Sequence, residues 1–203
     1  MEVVCLDLEG VLVPEIWIAF AEKTGIPELR LTTREVSDYD VLMKGRIDIL
    51  QEHGLALADI QDVIATIRPL EGAKAFLDEL RSLTQVIILS DTFREFASPL
   101  MRQLGWPTIF CNSLIVDSDG MITGYSLRQN DGKRKAIEHL RGMGFRTFAA
   151  GDSYNDITMI RTADDGAFFR APKEIADQYR GVDRCDDYAS FMKRIKVFVD
   201  EGK

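Results

Sequence analysis

Three short apolar runs, rich in β-branched residues, recur along the chain, and each ends at a polar cluster. They cover residues 1–6, 86–89 and 147–150. Short runs of this kind, separated by long helical patterns, are typical of buried parallel strands joined by crossover helices. The pattern therefore predicts an α/β fold built on a Rossmann-like, doubly wound parallel sheet. Ligands bind at the carboxyl ends of the strands in such sheets, so the three polar clusters should meet in one crevice.

The stretch between the first two predicted strands is too long for one crossover connection, at roughly 80 residues. Its pattern is helical, with breaks at glycine and proline. We predict helices over residues 15–24, 38–53 and 59–67. In the second of these, Met43, Ile47 and Leu50 form one apolar stripe. The sequence thus predicts a small helical cap over residues 14–70 and a catalytic core formed by residues 1–13 and 71–203.

The second half of the chain adds further elements to this core. A helix ending near residue 82 leads into the second strand, and a turn at residues 117–120 lies between two short β patterns, which predicts a hairpin. Residues 166–169 are typical of another core strand, and residues 188–199 of a closing helix.

Charge and composition exclude several classes of function. The chain has a net charge of −8 and a pI near 4.9, which argues against nucleic-acid binding through a broad basic face. Its apolar runs are too short to span a bilayer and no basic stretch opens the chain, so we expect a cytoplasmic protein that does not bind membranes. The three cysteines (Cys5, Cys111 and Cys185) are expected to be reduced thiols.

Two carboxylates, Asp7 and Glu9, stand two residues apart where the first strand ends. One carboxylate can attack phosphorus and form an aspartyl phosphate, while a second protonates the departing alkoxide and later deprotonates water. The alternative is an ordinary pair that caps a turn. A second acidic pair, Asp152 and Asp156, follows the 147–150 strand, and its hard oxygen ligands suit Mg²⁺. Helix capping would explain one of these two residues.

Two further residues have the chemistry to hold a phosphate group. Ser90 follows the second strand, where its hydroxyl and the next backbone N–H groups can bind phosphate oxygens. Lys133 precedes the helix that leads to the 147–150 strand, and its ammonium group can offset the negative charge of phosphate and carboxylate. A helix cap and a solvated basic surface are the alternatives for these two residues.

Taken in order, these residues resemble the four motifs of the haloacid dehalogenase superfamily, and the match spans nearly the whole chain. The resemblance implies that Asp7 is the nucleophile, Glu9 the acid/base, and Ser90 and Lys133 phosphate ligands. It also implies a Mg²⁺ ion held by Asp7, Asp152 and the main-chain carbonyl of Glu9, with Asp156 supporting the site. The family usually has Asp where this chain has Glu9, and a longer side chain places the proton donor differently.

Within that superfamily, three segments resemble phosphoserine phosphatases, and in particular a branch similar to phosphoserine:homoserine phosphotransferases. They are DLEGVLVPEIW at 7–17, ILSDTF at 88–93 and AAGDSYND at 149–156. The resemblance implies phosphoserine as substrate, with homoserine as a further acceptor. By position, Glu15 would bind the substrate amino group and Arg46 its carboxylate, although Glu15 stands one residue closer to the nucleophile than usual. The other substrate contacts that it implies are Asp91, Thr92 and Asn155.

Two other functions fit the core residues. One is a phosphatase for another small phosphomonoester, because the four motifs do not encode the leaving group. The other is a regulatory receiver that only accepts phosphate on Asp7. A receiver needs neither an acid/base such as Glu9 nor an inserted cap, so the sequence favours an enzyme.

Overall fold

The computed structural model describes residues 1–32, 35–36 and 38–202, which form a sheet with helices on both faces. The strands are β1 (Glu2–Leu6), β2 (Gln85–Phe93), β3 (Thr108–Val116), β4 (Ile122–Ser126), β5 (Arg146–Gly151), β6 (Asp165–Phe169) and β7 (Asp183–Cys185). The helices are α1 (Ile16–Thr24), α2 (Tyr39–Glu52), α3 (Leu57–Ala65), α4 (Ala73–Leu83), α5 (Arg94–Gln103), α6 (Gly132–Gly142), α7 (Ile157–Thr162), α8 (Lys173–Gln178) and α9 (Tyr188–Asp200). Short 3₁₀ turns cover Pro27–Arg30 and Tyr154–Asp156.

The strands of the described residues are ordered β4-β3-β2-β1-β5-β6-β7. Every neighbouring pair is parallel except the β3–β4 hairpin at one edge. The chain order reverses at β1, which lies between β2 and β5. This arrangement confirms the predicted α/β fold with a doubly wound sheet, and it places the ends of β1, β2 and β5 side by side.

Alternate residues of β1 belong to two separate hydrophobic layers. Val4 and Leu6 pack in the layer that includes α4, α5 and α9. Val3 and Cys5 pack in the opposite layer, with α6, α7 and α8. Because both faces of the strand are covered, its sequence is an unbroken apolar run and not an alternation of apolar and polar residues.

Three helices occupy the stretch where the sequence predicts a cap, and α1, α2 and α3 begin and end within about two residues of their predicted bounds. Their buried residues, including Phe20, Met43 and Ile60, join the hydrophobic cluster on one face of the sheet. Residues 33, 34 and 37 of the predicted cap lie outside the described residues. The division into two domains at residues 13/14 and 70/71 stays a prediction.

The predicted hairpin is confirmed as β3 and β4, and it contacts the helical insertion. Its turn is closed by Asp117, whose Oδ1 accepts hydrogen bonds of 2.9 Å from the N–H groups of Asp119 and Met121. The Tyr125 hydroxyl donates to Asp40 of α2 at 2.7 Å. The hairpin therefore packs against α2.

Two findings bear on the expectations from composition. The cysteines are free thiols, with Cys5 and Cys185 buried and Cys111 partly exposed. Among the described residues no helix has both the length and the apolar character needed to cross a membrane.

Candidate active site

The turn after β1 is shaped by a glycine that packs against the loop after β5. Gly10 has a φ of +73° and donates its N–H to the Val13 carbonyl at 2.8 Å. A Cβ atom at this position would lie 2.3 Å from Oδ2 of Asp152. Only glycine allows this approach, both because of the left-handed backbone and because no side chain fits. The turn therefore brings the first and last acidic motifs together.

Asp7 is fixed at the end of β1 by contacts on three sides. Its N–H donates to the Ala150 carbonyl of β5 at 2.9 Å, and its Oδ1 accepts from the Leu8 N–H at 2.7 Å. Its Oδ2 lies 2.9 Å from Nζ of Lys133. Burial and the Asp156 carboxylate raise the pKa of Asp7 well above its usual value, and Lys133 opposes that rise. The carboxylate is thus oriented within the crevice and shielded from water.

Lys133 lies at the start of α6 with only 4% of its surface exposed. Its Nζ is 2.8 Å from Asp156, 2.9 Å from Asp7 and 3.5 Å from Asp91. Burial alone would lower the pKa of Lys133, but the carboxylates of Asp156, Asp7 and Asp91 raise it well above its usual value. The side chain therefore remains an ammonium group. It connects the start of α6 to the end of β1, to β2 and to the loop after β5.

The loop after β5 places two carboxylates differently. Asp156 is fully buried, and its Oδ2 accepts hydrogen bonds from the N–H groups of Asp152 and Ser153 at 3.0 and 3.1 Å. A Cβ atom on Gly151 would lie 2.1 Å from Cγ of Asp156, so glycine is required there too. Asp152 is partly exposed, and burial together with Asp156 and Glu15 raises its pKa to about 7.

These acidic groups fit a divalent metal ion. One carboxylate oxygen from each of Asp7, Asp152 and Asp156 lies within 4.8 Å of the others. Hard cations such as Mg²⁺ bind carboxylate oxygens, and a cation here would relieve the repulsion that raises the pKa values of Asp7 and Asp152.

The second strand bulges where it reaches the crevice. Leu89 pairs with Phe110 of β3 and Phe93 with Asn112, so the segment between Leu89 and Phe93 leaves the ladder. Asn112, itself buried, donates from Nδ2 to the Asp91 carbonyl at 2.9 Å and holds the bulge in place. The bulge carries Ser90 and Thr92, both buried, and Asp91, whose carboxylate accepts from Asn155 at 3.1 Å.

The pKa of Glu9 is high enough for its side chain to donate a proton at neutral pH. Its Oε2 accepts from the Ile16 N–H at 2.8 Å, which fixes the side chain against the first turn of α1. Burial and the neighbouring Glu15 carboxylate raise the pKa of Glu9 to about 8. The longer side chain of glutamate thus reaches the insertion and still lines the same cavity as Asp7.

Arg46 of α2 is a buried cation. It is 7% exposed, and its Nη2 donates to the Leu31 carbonyl at 2.6 Å. No described carboxylate lies within salt-bridge distance of the guanidinium group, although those of Glu9 and Glu15 raise its pKa from farther away, and its buried Nε has no hydrogen-bond partner in the described part of the chain. Burial lowers its pKa to about 10, so the group is still charged at neutral pH. A buried cation outside any ion pair is costly, so this group could bind an anion.

A cavity of about 130 Å³ joins the core motifs to the insertion. Asp156, which contacts Lys133, is the one predicted site residue that does not line this cavity. The lining contains all the others: Asp7, Glu9, Glu15, Arg46, Ser90, Asp91, Thr92, Lys133, Asp152 and Asn155. The sequence did not predict the other lining residues, which include Trp17, Tyr39, Leu42 and Phe93. A wider groove of about 1030 Å³ between α4 and α9 lies away from these groups.

A family model of haloacid dehalogenase-like hydrolases matches residues 1–164. The chain belongs to the haloacid dehalogenase-like hydrolase family. The predicted resemblance to this superfamily is therefore confirmed, and the protein is an enzyme of the hydrolase class.

Two bacterial relatives of this hydrolase are similar over most of their length. Phosphoserine phosphatase ThrH of Pseudomonas aeruginosa is 59% identical over 179 residues, which are 88% of this chain and 87% of that protein. A phosphoserine phosphatase of Pseudomonas syringae pv. tomato is also 59% identical over 179 residues, covering 88% of this chain and 76% of that protein.

Solved structures of the same family confirm the fold. A phosphoserine phosphatase in apo form has a TM-score of 0.76 at 23% identity, covering 95% of this chain and 98% of that one. A phospho-aspartyl intermediate analogue of phosphoserine phosphatase has a TM-score of 0.75 at 22% identity with the same coverage. At these identities the similarity shows the fold alone.

The raised pKa of Asp152 predicts that the metal-free hydrolase loses stability as the pH rises. Asp152 titrates at about 7 in the folded chain, whereas an unfolded Asp titrates near ~3.9. Between these two pKa values the folded state holds an extra proton on Asp152. The stabilisation that this proton provides is therefore present at low pH and is lost as the pH rises through 7. In EDTA, we expect the melting temperature to fall by roughly 3 °C or more between about pH 5 and about pH 8.

Adding Mg²⁺ should raise the melting temperature more at the higher pH, because ionised carboxylates bind the cation. The control is Asp152→Asn, which cannot titrate and should show a shallower pH dependence in EDTA. Thermal melts with identical pH dependence in the two proteins would contradict this account of the acidic cluster.

Proposed function

We propose that this hydrolase removes the phosphoryl group from phosphoserine through a covalent intermediate on Asp7. The observation that carries the proposal is the pairing of two features in one cavity. An oriented, water-shielded carboxylate lies at its base, and Arg46, a buried cation without an anionic partner, lies in its wall. A phosphomonoester that also carries a carboxylate satisfies both.

The core residues have the geometry to hold and attack a phosphoryl group. The Asp7 carboxylate forms a bond to phosphorus as the bond to the serine oxygen breaks. The Ser90 hydroxyl, the N–H groups of the β2 bulge and the Lys133 ammonium group would bind the phosphoryl oxygens. The same ammonium group lies 2.9 Å from Asp7, so it also holds the nucleophile in place.

Glu9 supplies and recovers the proton. Because its pKa is about 8, Glu9 is largely protonated at neutral pH. It donates this proton to the departing serine oxygen, and the resulting carboxylate then takes a proton from the water that attacks phospho-Asp7. Inorganic phosphate leaves, and both Asp7 and Glu9 return to their starting states.

The acidic cluster fits Mg²⁺ as the cofactor. The ligands would be the carboxylates of Asp7 and Asp152 and the main-chain carbonyl of Glu9, with Asp156 holding the surrounding loop. When bound, Mg²⁺ neutralises phosphate charge and orients the phosphoryl group for in-line attack.

The residues of the insertion would recognise the amino acid. Arg46 would bind the substrate carboxylate, and Glu15, which borders the same cavity, would bind its ammonium group. Asp91, Thr92 and Asn155 complete the lining near the phosphoryl site. The high identity to two phosphoserine phosphatases supports this substrate over another small phosphomonoester, and the family match favours a hydrolase over a receiver.

The proposal predicts that Arg46→Ala separates two substrates that differ by one carboxylate. Loss of a charge-assisted contact should lower kcat/KM for phosphoserine by on the order of 10- to 100-fold. The value for phosphoethanolamine, which has no carboxylate, should change little. Phosphate release is measured with Mg²⁺ and with EDTA, which should abolish it.

The matched control is Lys44→Ala, which removes an exposed cation from the same helix. It should behave as the unmodified enzyme with both substrates. Equal losses for both substrates in Arg46→Ala would remove Arg46 as the carboxylate ligand, and an unmodified enzyme that does not prefer phosphoserine would overturn the proposed substrate.

We also propose that homoserine can replace water as the acceptor. Homoserine has the same amino and carboxylate groups as serine, so the contacts proposed for Arg46 and Glu15 fit both molecules. Its hydroxyl lies one methylene further out, and Glu9 can act as base toward whichever hydroxyl is nearest to phosphorus. A small cavity that excludes water would increase the fraction of transfer.

This second proposal predicts phosphohomoserine as a product. With phosphoserine and homoserine supplied together, phosphorus NMR should show phosphohomoserine in proportion to the homoserine concentration. Release of inorganic phosphate alone at saturating homoserine would refute the transfer and leave a phosphatase.

A further inference from the structure

Trp17 lies in the wall of the active-site cavity and has no role in the chemistry described above. It stands in the first turn of α1, two residues after Glu15. The side chain is only partly buried and borders the same space as Arg46. Trp17 therefore places an aromatic ring among the charged groups of this cavity.

The indole ring is held between the core and the insertion. On one side it meets Phe96 of α5, with ring centroids 5.3 Å apart and an interplanar angle of 70°. Within α1 it also meets the edge of Phe20 at 6.3 Å. Cζ of Arg46 lies over the ring at 4.4 Å from the centroid. The ring of Trp17 therefore contacts both Phe96 of α5 and the guanidinium group of Arg46 in α2.

The described groups that contact the Arg46 guanidinium group are all uncharged. The ring of Trp17 covers a face, the Leu31 carbonyl accepts from Nη2 at 2.6 Å, and the Met43 sulfur lies 3.6 Å from Nη1. These groups fix the orientation of the guanidinium plane, and the ring partly offsets its desolvation through the cation–π interaction. A carboxylate partner would stabilise the cation more but would also neutralise it. The positive charge therefore remains available to a ligand.

We propose that Trp17 is a positioning residue that sets the preference of this enzyme for phosphomonoesters bearing a carboxylate. The ring of Trp17 holds Arg46 in the orientation that receives the substrate carboxylate. Because the ring is uncharged, it does not neutralise the guanidinium group. The inference rests on the proposed phosphoserine specificity and adds a residue that determines it. Because Trp17 acts through Arg46, its loss affects only substrates that Arg46 contacts.

The test compares Trp17→Leu and Trp17→Phe with phosphoserine and phosphoethanolamine as paired substrates. In Trp17→Leu the KM for phosphoserine should rise roughly tenfold, since an aliphatic side chain gives no cation–π attraction. The KM for phosphoethanolamine and kcat for both substrates should stay within about twofold. Trp17→Phe keeps an aromatic face and should restore part of the preference.

The matched control is Trp106→Phe, since Trp106 is the second of the two tryptophans and is 59% exposed. This variant should keep the kinetics of the unmodified enzyme and leave Trp17 as its single tryptophan. Its fluorescence should then respond to phosphoserine and not to phosphoethanolamine at equal occupancy, because only the carboxylate contacts the stacked guanidinium group. A packing role alone would not produce this difference.

Thermal melts establish that each variant is folded before the kinetics are compared. An equal rise in KM for both substrates in a folded Trp17→Leu would reduce Trp17 to a packing residue, and an unchanged KM for both would remove its role. If the unmodified enzyme fails to prefer phosphoserine, the proposed substrate itself falls, and the inference with it. If that preference holds and survives in Trp17→Leu, the inference alone is overturned.

Discussion

The structure depends on one buried ammonium group, that of Lys133. Asp7 ends β1, Asp91 lies in the β2 bulge and Asp156 follows β5, and all three carboxylates contact Nζ of this lysine. Without it, the two buried carboxylates of Asp7 and Asp156 would repel each other, and removing one partner of a buried ion pair typically costs about 3–5 kcal/mol. The lysine therefore does two things at once: it holds the strand ends together and keeps positive charge where a phosphoryl group would bind.

A second buried cation, Arg46, lies across the cavity in a different electrostatic state. Lys133 is surrounded by carboxylates, whereas Arg46 is held by a carbonyl, a thioether and an aromatic face. Lys133 is thus ion-paired before any ligand binds, whereas Arg46 has no described carboxylate within salt-bridge distance and feels those of Glu9 and Glu15 only from farther away. Under the proposed function, this difference would separate the fixed phosphoryl site from the site that the substrate carboxylate completes.

The sequence predicted the central strands and the charged residues because their signals are local. β1, β2 and β5 are short apolar runs that end at carboxylates and hydroxyls, and sheet topology requires those ends to meet. Other features carry no such signal. The sequence did not predict α5, which contains Pro99, or β7, which has only three residues, too few for a periodic pattern. The bulge in β2 was missed because its ladder resumes at Phe93, beyond the polar residues that seemed to end the strand.

Most of the lining residues that sequence reasoning missed are aromatic or apolar. Trp17 and Tyr39 stand at helical positions where a ring is usually part of the core, and only the fold shows that they border the cavity. Arg46 was predicted by position, but its burial and its unpaired Nε depend on the packing of α1 against α2 and are not readable from spacing.

The central claim is that the phosphoryl group passes through Asp7, and trapping the intermediate tests it most directly. Enzyme turning over labelled phosphoserine with Mg²⁺ is quenched in acid, digested, and its peptides are analysed by mass spectrometry. The account predicts label on the carboxylate of Asp7, formed and lost at a rate that matches turnover, and neither label nor turnover in Asp7→Asn. Label on another residue, or normal turnover in Asp7→Asn, would contradict it.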